Sequence, residues 1–267
     1  MSAATATSTT STLGARPRPS LLTVLRVEVR DELLGVLREP TALFFSVLMP
    51  VMFYAMFVSL FGAADSGVGS LPVGTTMLAT FGTYGVVAAT MMTPGIGLAD
   101  ARERGWLRVL KTSPTPLPLT LAAKVLATLP YCLGILTAMT AAAAGLGALD
   151  ISLARWLALC GVLVVGTVPF ALVGLSVGAL ASPNATTAVL NAVVIPMAVA
   201  SGLWFPLEIM PDWVARMATL LPTYHLSELA MSVLTDGAGW AGHLASLLAF
   251  AAVAAVGAAV AYRRSRT

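Results

Sequence analysis

The stretch WLALCGVLVVGTVPFALVGLSVGALASPNATTAVLNAVVIPMAVASGLWFPL, residues 156–207, runs for 52 residues without a charged side chain. As one helix it would be roughly 78 Å long at 1.5 Å per residue, and about 20 apolar residues suffice to cross a bilayer. It must therefore hold two spans. Ser182-Pro183-Asn184 is the break between them, a cluster of turn-forming residues between two apolar runs.

Further charge-free intervals lie on both sides. An ionised side chain at the bilayer centre costs at least about 2.5–3.5 kcal/mol, so such intervals mark the spans. They fall at about 41–63, 75–98, 119–146, 156–181, 185–205 and 238–262, within one membrane unit of 40–262. The fold expected is all-α: a polytopic membrane protein with six transmembrane helices. Composition agrees, with 58% hydrophobic and 10% charged residues and a mean hydropathy of +0.88, against roughly 25% charged residues in soluble domains. A net charge of +3 and a pI near 9.1 do not point to nucleic acid, because in a membrane protein the distribution of charge matters more than its sum. Cys132 and Cys160 lie inside apolar runs and read as small hydrophobes, with no disulfide, metal or redox role.

Residues 1–19 are rich in Ser, Thr, Ala and Pro with Arg16 and Arg18, which predicts a disordered cytoplasmic tail; an organellar transit peptide has a similar composition. Over 20–39, Leu22, Leu25, Val29, Leu33, Val36 and Leu37 form one stripe at helical spacing. That is an amphipathic helix lying in the interface, or one packed on another protein surface. Residues 263–267 are a basic tail.

Orientation follows from Lys and Arg near span ends. With the N-terminus inside, thirteen of these residues lie on the inner face, and only Arg155 and Arg216 lie outside. Both termini are then cytoplasmic. The same topology puts 205–236 outside, yet that segment is too apolar for an ordinary loop and too Pro-broken to cross. It reads either as a re-entrant helical pair in the outer leaflet or as a pair of surface helices.

One dense charge cluster interrupts the membrane region. Asp100-Ala-Arg-Glu-Arg-Gly-Trp-Leu-Arg-Val-Leu-Lys111 reads as a short cytoplasmic helix between spans two and three, ended by Ser113-Pro114. It suits either adhesion to lipid phosphates or contact with a soluble partner. Gly105 to Thr112 approaches the phosphate-binding pattern G-x-x-x-x-G-K-T, but Leu110 stands at the second glycine and no strand precedes it. No nucleotide site is expected in this chain. His225 and His243 lack further ligands at metal spacing, so no metal site is expected. Thr186, Thr187 and Asn191 read as bonds between helices, Gly174-x-x-x-Gly178 as a weak signal for close helix approach, and Lys124 as a side chain snorkelling from its span. The absence of acids and bases at mid-span argues against a proton- or sodium-coupled carrier.

The ordered combination resembles the permease subunits of type-two ABC exporters, the class that includes daunorubicin-resistance-type drug permeases and polysaccharide and lipid exporters. The matching residues are the amphipathic helix Leu21 to Glu39, Glu103-Arg104-Gly105 with Leu107 and Leu110 before Ser113-Pro114, and Gly202-Leu-Trp-Phe205-Pro206 continuing to Pro211, Trp213, Pro222 and Tyr224. The resemblance implies an ATP-driven exporter working as a dimer, with itself or a paralogous permease, and bound to a separate ABC ATPase subunit that holds ATP and Mg. This chain would then carry no cofactor and no catalytic residue. Glu103, Arg104, Gly105 and Leu107 would form the coupling contact with the ATPase, and Arg26, Glu28 and Arg30 the second contact. Gly202, Phe205, Pro206, Pro211, Trp213, Pro222 and Tyr224 would belong to the re-entrant exit segment. The expected setting is the cytoplasmic membrane of a bacterium, with membrane lipids as the surroundings. A pathway without fixed charge favours a hydrophobic or amphiphilic solute, a drug or antibiotic, with lipid or glycan export as the alternative. A membrane anchor or scaffold that recruits a signalling partner is the competing class.

Overall fold

A computed structural model describes residues 20–38, 47–61, 71–105, 117–235, 237 and 239–264, and every regular element among them is helical. In chain order these are α1 (Leu21–Leu37), α2 (Met49–Phe61), α3 (Val73–Glu103), α4 (Leu117–Gly145), α5 (Leu153–Gly166), α6 (Val168–Gly178) and α7 (Pro183–Ala200). A 3-10 turn (Leu207–Ile209), α8 (Asp212–Ala218), α9 (Pro222–Thr235) and α10 (Trp240–Arg264) follow. Four stretches among the described residues are long and apolar enough to cross a membrane: Leu119–Gly145, Leu153–Gly178, Pro183–Ala200 and Trp240–Ala261.

Local chemistry sets the boundaries. Ser182 caps α7, its hydroxyl accepting from the Ala185 amide, and Pro183 takes the first helical position, where its missing N–H costs nothing. The break expected at 182–184 is therefore present. The preceding apolar run forms one membrane-length stretch, Leu153–Gly178, interrupted for a single residue at Thr167 between α5 and α6, where Pro169 withdraws a donor from the ladder. The expected fifth span also ends early, at Ala200 rather than 205, where Gly202 adopts φ +76 and turns the chain. The first expected span is described only over 47–61.

α3 is the centre of the bundle and packs on α2, α4, α5, α6, α7 and α9. Its hydropathy is diluted by Thr and Gly, yet it is the most buried helix. Thr83 and Thr90 are buried and donate to the carbonyls of Ala79 and Val86 one turn back, at 2.8 and 2.7 Å. Their polar atoms are thus satisfied within the helix, and small residues let its neighbours come close. The closest approach is to α6. A Cβ built on Gly174 would lie 2.0 Å from the Met91 carbonyl oxygen, and one on Gly178 would lie 2.0 Å from that of Gly95. The weak glycine signal is thus a backbone-to-backbone crossing. Residues 91 and 95 meet 174 and 178 in the same order, so α3 and α6 run parallel.

Candidate functional site

The C-terminal ends of α3 and α6 lie together, and Glu103, Arg104 and Gly105 of the expected coupling set lie there. α3 does not stop at the end of its apolar run. It continues through Asp100, Ala101, Arg102 and Glu103 and closes at Gly105, whose φ of +75 suits only glycine well. Asp100 to Glu103 are therefore the last turn of a span-length helix, where a separate short helix was expected. The onset of charge at Asp100 does not end the helix.

Arg104 folds back on Asp100, with Nε 3.1 Å from Oδ1 and Nη2 2.9 Å from Oδ2. Both are solvent-exposed, so this i,i+4 pair contributes only about 0.3–0.5 kcal/mol. Glu103 is exposed and Gly105 half-buried, with nothing within 4 Å of a Cβ placed on it. Leu107, with Trp106 to Lys111 and the Ser113-Pro114 ending, lies outside the described residues.

Arg102, which the sequence reading left out of the coupling set, makes the strongest contact at this end. Its Nη1 donates to the carbonyls of Gly178 at 2.9 Å and Ala181 at 3.1 Å. These are carbonyls that the end of α6 leaves without helical partners, and a cation there also meets the negative end of the helix dipole. The guanidinium thus pins the end of α3 to the turn between α6 and α7. Only the basic character of the last turn hinted at it.

The amphipathic helix joins the same end. α1 packs along α4, and Glu32 forms an ion pair with Lys124. Lys124 is 5% exposed, so its stem does not snorkel to the surface as expected but ends on Glu32. Its Nζ also lies beside Gly97 of α3. Glu28 is half-buried on the packed side, while Arg26 and Arg30 face outward. The stripe on α1 is only partly covered: Leu25, Val29 and Leu33 are half-buried, whereas Leu22 is exposed.

At the opposite end, Gly202 turns the chain so tightly that a Cβ would meet Leu207 at 2.7 Å. This places Trp204 against Phe53 (ring centroids 5.9 Å apart) and Tyr84 (5.0 Å), and Phe205 against Phe57 (5.6 Å). Pro206 precedes the 3-10 turn, Pro211 precedes α8, Trp213 is exposed on α8, and Pro222 opens α9. Ser201 and Thr223 share a buried hydrogen bond. Tyr224 lies edge-on to both histidines, whose Nδ1 atoms are 3.0 Å apart, and His225 Nε2 bonds the Thr219 carbonyl at 3.0 Å. The pairing of the two histidines was missed, since 18 residues and a turn between helices separate them. Among the described residues no group of three His, Cys, Asp or Glu converges on a metal position. Thr187 and Asn191 bond back to carbonyls of their own helix, Pro183 and Thr187, rather than to a neighbour.

The family profile described as ABC-2 type transporter matches residues 23–235. This chain belongs to the ABC-2 type transporter family. It is also 23% identical over 229 residues to a Bacillus subtilis (strain 168) protein named "Putative transport permease YvfS", a match covering 86% of this chain and 93% of that one. As an ABC-2 type chain it is a multi-pass membrane permease, and the family implies an ABC transporter system with an ATPase partner. The matched region runs from α1 to the end of α9, so both the Arg102 end and the segment after Gly202 lie inside it.

Proposed function

We propose that this chain is the transmembrane permease subunit of an ATP-driven exporter, with the end of α3 receiving the movement of a separate ATPase subunit. The observation that carries the reading is the Arg102 contact with Gly178 and Ala181. Force applied at Glu103, Arg104, Gly105 and Leu107 reaches α6 and the α6–α7 turn through that guanidinium. α1, with Arg26 and Arg30 outward, offers the second contact and reaches α4 through Glu32 and Lys124.

The six-span layout, with both termini in the cytoplasm of a bacterium, draws support from helix direction. α3 runs parallel to α6, and α6 lies beside α10 with 176–180 against 257–264, also in parallel order. Each parallel pair needs one crossing between its members, supplied by α4 and by α7. The re-entrant reading of the α8–α9 pair is supported by Leu226, whose Cδ1 reaches the backbone at Gly166, roughly 20 Å along the α5–α6 span from Leu153. One such chain supplies half a pathway, so the working unit is a dimer of this permease or a pair with a paralogue. The absence of Asp, Glu, Lys and Arg from 125–149, 156–207 and 237–262 suits a hydrophobic or amphiphilic solute such as a drug or antibiotic.

The test is co-purification with the neighbouring ATPase, followed by ATP turnover and solute export in lipid. Glu103→Ala should weaken ATPase binding. Arg102→Gln should leave binding intact and cut export per ATP hydrolysed. If no ATPase binds, or export per ATP is the same in all three proteins, the proposal falls.

A further inference from the structure

Between α6 and α10 lies a groove of about 370 Å³, lined by Val177 and Leu180 on one side and Gly257, Val260, Ala261 and Arg264 on the other. The volume lies within the roughly 300–1,000 Å³ of small-molecule pockets. There is open space over Gly257, where a Cβ meets nothing within 4 Å. The hydroxyl of Ser176, which also borders it, donates to the Leu172 carbonyl at 2.6 Å and so adds no free polar group. Leu180 and Val260, 55% and 44% exposed, form its outer walls. Since α10 is a span-length apolar helix, this floor faces hydrocarbon.

The chemistry changes at one end. Arg263 and Arg264 form the last turn of α10 and are both exposed. From Gly257 to Arg264 is roughly 10 Å along the helix, so an occupant is apolar for that length and then meets two guanidinium groups. The C-terminal end of a helix repels anions by itself. An anion is held there only through the arginines. A guanidinium binds phosphate oxygens in pairs, and basic residues at the membrane surface select anionic headgroups.

We propose that this groove binds an anionic phospholipid, one acyl chain lying over Gly257 and Ala261 and the phosphate held by Arg264 with help from Arg263. The lipid is a structural ligand of the permease, and its binding is independent of which solute is moved or what drives export.

The test uses the full chain reconstituted in equimolar phosphatidylcholine and phosphatidylglycerol, extracted in mild detergent, with retained lipids counted by native mass spectrometry. Wild type should keep phosphatidylglycerol in preference to phosphatidylcholine. Arg264→Gln should lower retained phosphatidylglycerol roughly fivefold, the factor that one cation supplies at a membrane surface. Gly257→Leu fills the groove without touching Arg264 and should expel both lipids, with an unchanged elution volume showing that the chain is folded. Equal phosphatidylglycerol retention in all three proteins overturns the proposal. So does a fall in oligomeric mass on Gly257→Leu without a change in lipid count, which would mean that a second copy of the chain fills the groove.

Discussion

Replacing Gly174 by alanine adds one methyl group where the structure has room for none. The new Cβ would stand 2.0 Å from the Met91 carbonyl oxygen, 2.8 Å from the carbonyl carbon and 3.0 Å from the Cα, against ordinary contact at 3.4 Å or more. The obstacle is backbone and cannot rotate away, so α3 and α6 must part by more than 1 Å along that line. A gap of about 0.5–1 Å already forfeits a quarter to a half of each dispersion contact across an interface, and overpacking of this kind costs about 1–3 kcal/mol. The same movement strains the bond from Arg102 Nη1 to the Gly178 carbonyl, now 2.9 Å long and worth about 1.5–3 kcal/mol for a charged donor. The assay is melting in detergent followed by size-exclusion chromatography. Gly134→Ala and Gly161→Ala serve as references, because a Cβ at either meets nothing within 4 Å and each should gain up to about 1 kcal/mol of helix propensity. Gly174→Ala should melt far below both. If its midpoint matches that of Gly134→Ala, the crossing is not the close backbone contact described.

Two further outcomes are expected. Glu32→Gln takes a carboxylate from an ammonium that is 5% exposed and should destabilise by about 2 kcal/mol, below the 3–5 kcal/mol of a fully buried pair because Glu32 is partly solvated. The double variant Glu32→Gln with Lys124→Met should recover most of that loss in a double-mutant cycle, whereas strictly additive losses would show that the pair does not interact. Around His225, burial holds the imidazole pKa below its ordinary 6.5, with the Thr219 carbonyl pulling it up and His243 lowering it further. The unfolded chain then takes the proton first, so the α9–α10 contact is fully stable above pH 6.5 and weakens as pH falls through 6.5 toward the folded value. Glu228 acts in the opposite direction: burial raises its pKa, Glu208 adding and His243 opposing, so its contribution grows on acidification. With Tyr224 beside both rings, His225→Gln should flatten the fall in melting temperature as pH drops below 6.5, and Glu228→Gln should remove the gain that accrues as pH drops toward 4.5. Identical pH profiles in all three proteins would refute this assignment.

The long apolar segments were legible because the cost of burying charge is large enough to appear in a single sequence. Expected spans at 119–146 and 238–262 meet helices at Leu117–Gly145 and Trp240–Arg264, and the turn at Ser182-Pro183 is where residue type puts it. Helix ends inside continuous structure were less legible. The onset of charge at Asp100 reads as a boundary, but nothing there breaks a helix before Gly105. The interruption at Thr167 coincides with Pro169 but lies hidden in a run of uniform hydropathy. Contacts between distant segments were not legible at all. Arg102 with Gly178, Glu32 with Lys124 and His225 with His243 are separated by 76, 92 and 18 residues, and no period or local motif encodes them. The glycine spacing on α6 could be read, but its partners Met91 and Gly95 became visible only with the fold.

The two attachments between α3 and α6 have a mechanical consequence. Two struts touching at one point can scissor; joined at a second point, they become a single beam. The glycine crossing at Met91 and Gly95 is the first joint and the Arg102 clasp is the second, roughly 16 Å apart from Met91 to Arg102 along the helix. A push on the α3 end therefore cannot be dissipated by shear between these two helices. It moves the pair as one body, and the far end of α3 is held in turn by Tyr54 on the Gly74 carbonyl and by Thr75 on Asp150.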